Sequence, residues 1–373
     1  MGGGPSLSAA NAPPPIADPL LRFLREALER PGLAYAEPPT LIPGGAVVHV
    51  HGFRLDDDEA ADDAAGPLVA RIWRAPGSGA SAERESAVQN ALAQLGYPAP
   101  RVLACCDDPR WLGAPFQVME RVPGEALLRV GNNEASGSFV GQVLPDMGRL
   151  FLRDWPGRLA GLHARLHRLD PKPVVAALDR IGVAPREIGV AARVERLARL
   201  VEAHDLAPLE ASLAWLRANA PGDDAPRGIC HGDLFANQIF VDRGRARVLD
   251  WSDVTLGPPE FDVGIVSCGV ATAPVELPGP LQAVGEAAQR WLARRFLAAY
   301  RAHAPLDEAR LRFAELFRAF SSLTHVLARR RERAADASLG PNPYDSDLGV
   351  ARLGAVLAAA GLAEAQALRE CAG

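Results

Sequence analysis

The position of strand-like and helical patterns along the chain constrains its fold more than any other feature. Short alternating or β-branched stretches, which favour strands, cluster between about residues 40 and 121 as LIPGG followed by AVVHVHGF, then LVARIW, RVLACC and PFQVMERV. A helical pattern over 81–95 interrupts them, and another over 18–30 comes before them. Because these five strand segments lie close together in sequence, they predict one small antiparallel sheet with a helix between its strands.

Helical patterns dominate the chain from residue 122 onwards. Apolar residues recur at intervals of three and four through four long segments: 158–170, 193–204, 284–302 and 308–330. One strand-like island lies among them, with strands around Ile239–Val241 and Arg247–Leu249 joined by an Asp-Arg-Gly turn. The patterns therefore predict an α+β protein, and its 373 residues are enough for two lobes.

The same segregation of patterns predicts the domain boundaries. Residues 1–17 are rich in Gly, Pro and Ala, and we expect them to form a disordered leader that is not a secretory signal. Residues 18–121 are predicted to form the N-lobe, with a helix ahead of its sheet, and residues 122–365 the C-lobe. No apolar run reaches the roughly 18 residues that span a bilayer, so no membrane partner is predicted.

Charged residues and cysteines exclude several functional classes. Of the 40 Lys and Arg residues only Lys172 is lysine, and its context, DPKP, is not the Gly-Lys-Ser/Thr of a Walker A loop. The chain is therefore not a P-loop nucleoside triphosphatase. A net charge of -5 argues against a nucleic-acid partner, which requires basic clusters. Five cysteines without disulfide or zinc spacing predict a cytoplasmic protein, and no obligatory protein partner is indicated.

Carboxylates flank the two strands of the island. His231-Gly232-Asp233 comes before the first strand, and Asp250-Trp251 follows the second. Because a hairpin brings its two ends together, both carboxylates are expected at the same end of the island. Phosphoryl transfer needs one carboxylate beside the attacking hydroxyl and another on the Mg²⁺ that bridges the phosphates. The pattern therefore indicates a kinase site, with a surface hairpin of solvated carboxylates as the alternative.

With these motifs the chain resembles the aminoglycoside phosphotransferase and choline kinase-like family, which shares the protein-kinase architecture. HGDLFANQIFVD, VLDWSD and GPPEFDVG resemble the family's catalytic, metal and C-lobe anchoring motifs, in the family's order. LIPGG, GPLVARIWRA and AERESAVQNAL resemble its phosphate loop, third strand and N-lobe helix. The resemblance covers about residues 40–330. It implies a bilobal protein kinase-like fold, with a small antiparallel N-lobe and a larger, mainly helical C-lobe.

Carried over residue by residue, the resemblance assigns the chemistry of the C-lobe. It implies that Asp233 accepts or orients the substrate hydroxyl, and that Asp262 braces the catalytic loop. It also implies that Asp250 binds Mg²⁺, together with Gln238 in the place of the family's asparagine ligand. The adjacent amide, Asn237, is the alternative second ligand.

In the N-lobe the resemblance implies a site for ATP or another nucleoside triphosphate. The basic residue on the phosphates falls on Arg71, with Glu85 as its ion-pair partner and Arg74 as the alternative. The phosphate loop departs from the family where Ala46 and Val47 replace its usual Ser-Asn. The remaining implied contacts come from the phosphate loop and from the hinge that pairs with adenine: Gly44, Gly45, Glu120 and Val122.

The segment from Asp250 to Asp262 covers only 12 positions, too few for the activation segment on which protein kinases bind a peptide. A small-molecule hydroxyl is therefore the predicted acceptor: an aminoglycoside or macrolide antibiotic, a sugar or an amino alcohol. Carboxylates that suit an aminoglycoside are available at Asp223, Asp224 and Glu260. The alternative is a pseudokinase that binds nucleotide without transfer, which the altered phosphate loop and the asparagine-to-glutamine change favour.

Two histidines lie one helical turn apart, at His163 and His167. This is the spacing of a metal-binding pair on a helix. Since the sequence offers neither an HExxH arrangement nor a third ligand, we expect core or capping histidines instead.

Overall fold

The computed structural model describes residues 16–43, 48–56, 66–73, 81–128, 155–222, 227–335 and 344–362. Several predictions fall outside these residues: most of the leader, and the residues Gly44, Gly45, Arg74, Asp223 and Asp224. The chain divides into two compact units, Met1–Gly124 and Glu125–Gly373.

The first unit is built on a five-stranded sheet with the strand order β1-β2-β3-β5-β4, in which every neighbouring pair is antiparallel. Its elements are α1 (Ala17–Ala27), β1 (Ala34–Ile42), β2 (Val48–Asp56), β3 (Leu68–Trp73), α2 (Ala82–Gln94), β4 (Val102–Cys106), the short α3 (Pro109–Leu112) and β5 (Phe116–Glu120).

Apolar side chains join helix α1 to this sheet. Leu20, Phe23 and Leu24, one face of α1, are buried in a cluster with Phe53 and Phe116 of the strands. The rings of Phe23 and Phe116 meet edge to face, with their centroids 4.7 Å apart. The apolar residues of α1 recur at three- and four-residue intervals and therefore lie on one face, which packs against the sheet.

Helix α2 starts at a well-capped N-terminus. Ser81 accepts a hydrogen bond from the amide of Arg84 at 3.0 Å, and its hydroxyl donates to Asp107 at 2.7 Å. The other Asp107 oxygen accepts from the amide of Ala82 at 2.6 Å. A carboxylate on the unpaired amides of a first turn favours the helix. This cap fixes the register of the turn that carries Glu85.

The second unit is mainly helical. Within its described residues the helices are α4 (Trp155–His167), α5 (Lys172–Asp179), α6 (Val190–Ala203), α7 (Glu210–Asn219), α8 (Pro259–Thr272), α9 (Leu281–Arg301), α10 (Glu308–Ala335) and α11 (Asp347–Ala358). Its short strands form two small sheets, in the orders β6-β8-β9 and β10-β7. They are β6 (Glu125–Ala126), β7 (Gly228–Cys230), β8 (Ile239–Asp242), β9 (Arg245–Val248) and β10 (Thr255–Gly257).

Helix α8 lies at the centre of the second unit and is buried along most of its length. A side chain at Gly264 would collide with Ala314 and with the backbone of α10, so this glycine permits the close approach of the two helices. The rings of Phe261 and Phe317 pack between them at 4.9 Å. A helix that is apolar on all sides is typical of a core, and this one brings Asp262 into the interior.

The architecture confirms the predicted α+β class, with an antiparallel sheet in the first unit and a largely helical second unit. Strand β1 starts at Ala34, earlier than the pattern indicated, and the two-stranded sheet β7-β10 was not predicted. Within the described residues, no helix combines the length and the apolar character that crossing a membrane requires.

Candidate active site

Asp262 organises the loop that follows β7. Its two carboxylate oxygens accept hydrogen bonds from the amides of His231 and Gly232, each at 2.7 Å. The ring of His167 on α4 donates a third bond at 3.0 Å. Burial by itself raises the pKa of Asp262, but the bond from His167 and the charges of nearby imidazoles outweigh burial and hold that pKa well below its usual range. The loop is therefore braced from the core by an ionised carboxylate.

The two residues before Asp233 suit this loop for different reasons. The His231 ring is fully buried, bonds the carbonyl of Leu249 at 3.0 Å and lies 4.5 Å from the ring of Trp251. Gly232 adopts a φ of 84°, and an added Cβ would collide with the carbonyl of Asp253. Only glycine combines that dihedral angle with so little space.

The carboxylate of Asp233 emerges from this braced loop. Its Oδ1 accepts a hydrogen bond from Arg318 Nη1 at 3.0 Å, and 35% of the side chain stays exposed. Burial raises the pKa of Asp233 to about 6; Arg318 opposes the rise, and Asp253 and Asp250 add to it. At neutral pH this group is mostly ionised and can accept a proton.

Asp250 and Asp253 follow strand β9. Asp250 has a φ of 67°, in the left-handed region, and accepts a bond from the Ser252 hydroxyl at 2.8 Å. Asp253 forms an ion pair with Arg193 at 3.0 Å. Burial raises the pKa of Asp253, but Arg193 and further cations outweigh burial and lower it. Arg193 also donates to the carbonyl of Gly232 at 3.3 Å and so ties the two loops together.

The two adjacent amides, Asn237 and Gln238, lie at the end of a 3-10 turn over Ala236–Gln238. The side-chain oxygen of Gln238 accepts a hydrogen bond from the amide of Phe235 at 3.3 Å. Its backbone carbonyl accepts from the amide of Leu249 at 2.9 Å. The Gln238 side chain therefore takes part in closing the loop that follows Asp233, and its role as a metal ligand stays a prediction.

The donor set suits Mg²⁺. A carboxylate at Asp250 and an amide oxygen at Gln238 are hard oxygen ligands of the kind this ion prefers. The negative charges of Asp253 and Asp250 also raise the pKa of Asp233, so these three carboxylates lie close enough to influence one another. The residues present therefore fit a divalent cation.

In the first unit, Arg71 and Glu85 form an ion pair, as the sequence predicts. Arg71 Nη1 lies 2.6 Å from Glu85 Oε1, with only 13% and 3% of the two side chains exposed. Gln117 on β5 also donates to Glu85 Oε1, at 3.4 Å, and its own oxygen accepts from Ser86 at 2.9 Å. Strand β3, helix α2 and strand β5 thus fix this pair jointly.

The predicted hinge residues lie at the end of β5. The Glu120 amide donates to the carbonyl of Arg101 at 3.0 Å, and the Glu120 carboxylate accepts from the Arg101 amide at 3.3 Å. Val122 follows in an irregular segment and is half-buried. Contacts of either residue with adenine stay a prediction.

His167, Cys230 and Asp262 offer ligand atoms within 4.8 Å of one another. Each of them is already engaged: His167 bonds Asp262 and also the Tyr300 hydroxyl at 2.7 Å, while Asp262 holds backbone amides. Burial raises the pKa of the Cys230 thiol well above its usual value, which disfavours the thiolate that binds metals. This cluster is a structural core, and His167 is hydrogen-bonded within it, as expected.

Sequence reasoning missed three contributors to these sites: Arg193, Arg318 and Gln117. None of them lies in a recognisable motif, and the two arginines stand on long helices among many other arginines. The one local indication was Asp253, three residues after Asp250 in the DWSD stretch. A second carboxylate so close to the first indicates that a cationic side chain, here Arg193, lies beside it.

The chain matches one protein-family model and is similar in sequence to several known proteins. Residues 56–306 match the model of a family described as "Phosphotransferase enzyme family". Acyl-CoA dehydrogenase family member 11 of Gallus gallus is 31% identical over 195 residues, which cover 48% of this chain and 22% of that protein. The matched region is only 17% of member 10 of Mus musculus, so the chain corresponds to about a fifth of these longer relatives.

Two solved structures resemble the chain over most of its length. Ethanolamine kinase of Plasmodium vivax has a TM-score of 0.56 at 13% identity, covering 90% of this chain and 86% of that one. A thermostable mutant of aminoglycoside phosphotransferase APH(4)-Ia, in ternary complex with AMP-PNP and hygromycin B, has a TM-score of 0.53 at 17% identity, covering 91% and 98%. At this identity the likeness shows the fold, and the predicted protein kinase-like fold is confirmed.

Proposed function

The chain belongs to the phosphotransferase enzyme family, a family of small-molecule kinases, and we propose that it transfers the terminal phosphoryl group of ATP to a hydroxyl, with Mg²⁺ bound. The observation that carries this proposal is Asp233: a partly exposed carboxylate with a pKa of about 6, on a loop braced by Asp262. A partly exposed carboxylate with a raised pKa on a braced loop is typical of a group that accepts a proton.

Asp233 receives the proton of the acceptor hydroxyl. The hydroxyl oxygen bonds to the terminal phosphorus, the bond from that phosphorus to the bridging oxygen breaks, and ADP leaves with the electron pair. Such a reaction needs little covalent chemistry from the protein and depends on position and charge. The bonds from Asp262 and Arg193 to the loop meet that need, since they hold Asp233 in place before the substrate arrives.

Asp250 and Gln238 would hold the magnesium ion in this proposal. When bound, the ion neutralises phosphate charge and orients the phosphates for transfer. The Ser252 hydroxyl donates to one oxygen of Asp250 and so orients the carboxylate that would hold the ion.

The first unit, with residues 18–121 as its proposed lobe, would bind the nucleotide. Arg71 would contact the phosphates with its planar guanidinium, which presents several donors in a fixed fork. Buried Glu85 fixes the direction of that contact, and the phosphate loop and the hinge would complete the site: Gly44, Gly45, Glu120 and Val122. Nucleotide binding is seen in the APH(4)-Ia complex with AMP-PNP, which supports ATP as the donor.

The acceptor would be a small hydroxylated compound. Among the structural neighbours, one protein is an ethanolamine kinase and another binds hygromycin B, so both amino alcohols and aminoglycosides are candidates. Macrolides and sugars are further candidates, because they too are hydroxylated compounds. The four cysteines in the described residues are unpaired, which supports a reducing, cytoplasmic location, and no nucleic-acid, membrane or obligatory protein partner is proposed.

A second candidate function is a pseudokinase that binds nucleotide without transferring phosphate. The observation that favours it is the hydrogen bond between the Gln238 side-chain oxygen and the Phe235 amide, because it occupies a predicted metal ligand. The two functions differ in turnover, since only a kinase forms ADP and phosphorylated acceptor in equal amounts.

The test is a panel of hydroxylated compounds, incubated with the purified protein, ATP and Mg²⁺ and scored for ADP release. Aminoglycosides, macrolides, sugars and amino alcohols form its four arms, and water alone is the baseline. Mass spectrometry of the acceptor must show one added phosphoryl group. Nucleotide binding without ADP release in any arm, water included, would assign the chain to the pseudokinases.

A further inference from the structure

Arg318 approaches the proposed catalytic carboxylate from a distant part of the chain. It lies on α10, 85 positions after Asp233, and donates from Nη1 to Asp233 Oδ1 at 3.0 Å. Within the described residues, it is the only basic side chain in hydrogen-bond contact with that carboxylate. The exposed fraction is 20% for the Arg318 side chain and 35% for Asp233, so the pair is partly shielded from water.

Aromatic rings fix the position of the guanidinium. Its central carbon lies 5.1 Å from the ring centroid of Phe235 and 5.8 Å from that of Tyr344. The Tyr344 hydroxyl donates to the carbonyl of Gly269 at 3.3 Å, and an added Cβ at Gly269 would collide with the Phe235 ring. Asp345, the next residue, pairs with two arginines of α10. The arginine is therefore held in one orientation from both sides.

The ion pair leaves half of the carboxylate available. Oδ1 of Asp233 is engaged by Arg318, whereas Oδ2 has no hydrogen bond within the described part of the chain. An ionised carboxylate offers about four acceptor positions on its two oxygens. A cation on one oxygen therefore fixes the direction in which the other oxygen points.

We propose that Arg318 is a positioning residue for phosphoryl transfer: its guanidinium holds Oδ1 of Asp233 so that Oδ2 faces the acceptor hydroxyl. This inference rests on the proposed function, because it assigns Oδ2 as the atom that receives the hydroxyl proton. Arg318 keeps its own protons throughout. The negative charges of Asp250 and Asp253 oppose ionisation of Asp233, and the guanidinium offsets them.

Kinetics of three variants test the proposal with Mg²⁺, ATP and the best acceptor of the panel. Arg318→Met keeps a side chain of similar length between the two rings but removes the charge and the donors. Arg318→Lys keeps the charge without the planar fork. Arg312→Met is the matched control, since Arg312 lies on the same helix, is 44% exposed and, within the described residues, forms an ion pair only with its helical neighbour Glu315.

We expect Arg318→Met to lower kcat by about 10- to 100-fold with the KM for ATP changed less than about threefold, as for a misplaced catalytic group. Arg318→Lys should recover part of that loss, and Arg312→Met should match the wild type. If Arg318→Met unfolds at a clearly lower temperature than the wild type, the kcat of Arg318→Lys alone tests the proposal. A folded Arg318 variant with wild-type kcat overturns the proposal, and so does a loss confined to the KM for ATP.

A chemical readout separates this inference from the proposed function. A water-soluble carbodiimide with an added amine labels carboxyl groups, and peptide mass spectrometry measures the yield at Asp233. We expect a faster reaction at Asp233 in Arg318→Met, by at least about threefold if the ion pair shields that carboxylate by an amount typical of charged hydrogen bonds. Asp253, paired with Arg193, is the internal reference.

Equal labelling of Asp233 in the wild type and in Arg318→Met overturns the positioning role. Failure of every acceptor in the panel, with labelling still dependent on Arg318, would reject phosphoryl transfer and leave the fixed orientation of Asp233 intact.

Discussion

Each unit of the molecule contains an arginine–carboxylate pair, and the two pairs are built differently. In the first unit Arg71 and Glu85 lie 2.6 Å apart and are almost completely buried. In the second unit Arg318 and Asp233 lie 3.0 Å apart, and a third of the carboxylate side chain is exposed. Gln117 gives Glu85 an additional donor, whereas Asp233 has only Arg318 among the described hydrogen bonds to its side chain.

The difference in burial indicates that the two arginine–carboxylate pairs have different functions. A buried pair with further hydrogen bonds is fixed in one geometry, and breaking it leaves an uncompensated charge in the interior. An exposed carboxylate with one engaged oxygen can still exchange a proton. The first pair therefore suits the orientation of a phosphate contact, and the second suits proton transfer. Variants of the two pairs should therefore differ in their kinetics, stability and pH dependence.

The largest effect is expected at the exposed pair. Asp233→Asn removes the proton acceptor, so we expect kcat to fall by about 10²- to 10⁴-fold while nucleotide affinity is retained. ADP release measures the first quantity, and calorimetric titration with AMP-PNP the second. Asp179→Asn, at an exposed position on α5, is the control. Wild-type turnover of Asp233→Asn would remove that residue from its assigned role.

Breaking the buried pair should affect both stability and nucleotide use. Glu85→Gln leaves the guanidinium of Arg71 buried without its counter-charge, so unfolding should become easier by about 3–5 kcal/mol. The KM for ATP should rise, or kcat should fall, by about tenfold or more, since charge-assisted contacts are the strong ones. Chemical denaturation and ADP release measure the two effects.

The same pair can be tested from the arginine side. Arg71→Ala should reproduce the kinetic defect of Glu85→Gln, and Arg74→Ala should be mild. A silent Arg71→Ala together with a crippled Arg74→Ala would transfer the phosphate contact to Arg74.

The pH dependence should separate the exposed pair from the buried one. The carboxylate of Asp233 must be ionised to accept a proton, and its pKa is raised to about 6, so kcat/KM should fall below that pH by about tenfold per pH unit. Above pH 6 this group stays ionised and the rate should level off. Arg318, His231, Asp250 and Asp253 are the charged or titratable groups that face it.

The pH profile of Arg318→Met sharpens this comparison. Without the guanidinium, the acidic limb of its kcat/KM should move to higher pH, because Arg318 lowers the pKa of Asp233. The limb of Glu85→Gln should stay where it is in the wild type. A common shift in both variants would mean that the limb reports another group.

The smallest and most specific effect concerns the second metal ligand. Gln238→Ala should raise the Mg²⁺ concentration required for transfer, while Gln238→Asn keeps partial activity because its amide oxygen is an equally hard ligand. Activity titrated against Mg²⁺ measures this, with Asn237→Ala as the comparison. A normal curve for Gln238→Ala beside a shifted curve for Asn237→Ala would make Asn237 the ligand.

The class of fold, and those site residues that lie near one another in the chain, can be predicted from the sequence. Alternating and helical periods separate the sheet from the helices, because a half-buried strand and an amphipathic helix require different spacings of apolar residues. The family resemblance implied the pair of Arg71 and Glu85, which a strand and the next helix carry 14 positions apart. Asp233 and Asp250 could be placed together because one hairpin links them.

The groups that surround Asp233 depend on how distant helices pack and could not be predicted from the sequence. Arg318 lies 85 positions away on a helix with several other arginines, and no local rule distinguishes it from Arg312. Packing selects it, because Gly264 lets α10 approach α8, and Phe235 and Tyr344 then hold its guanidinium. The shifted pKa of Asp233 has the same origin, since burial and neighbouring charges act through space and not along the chain.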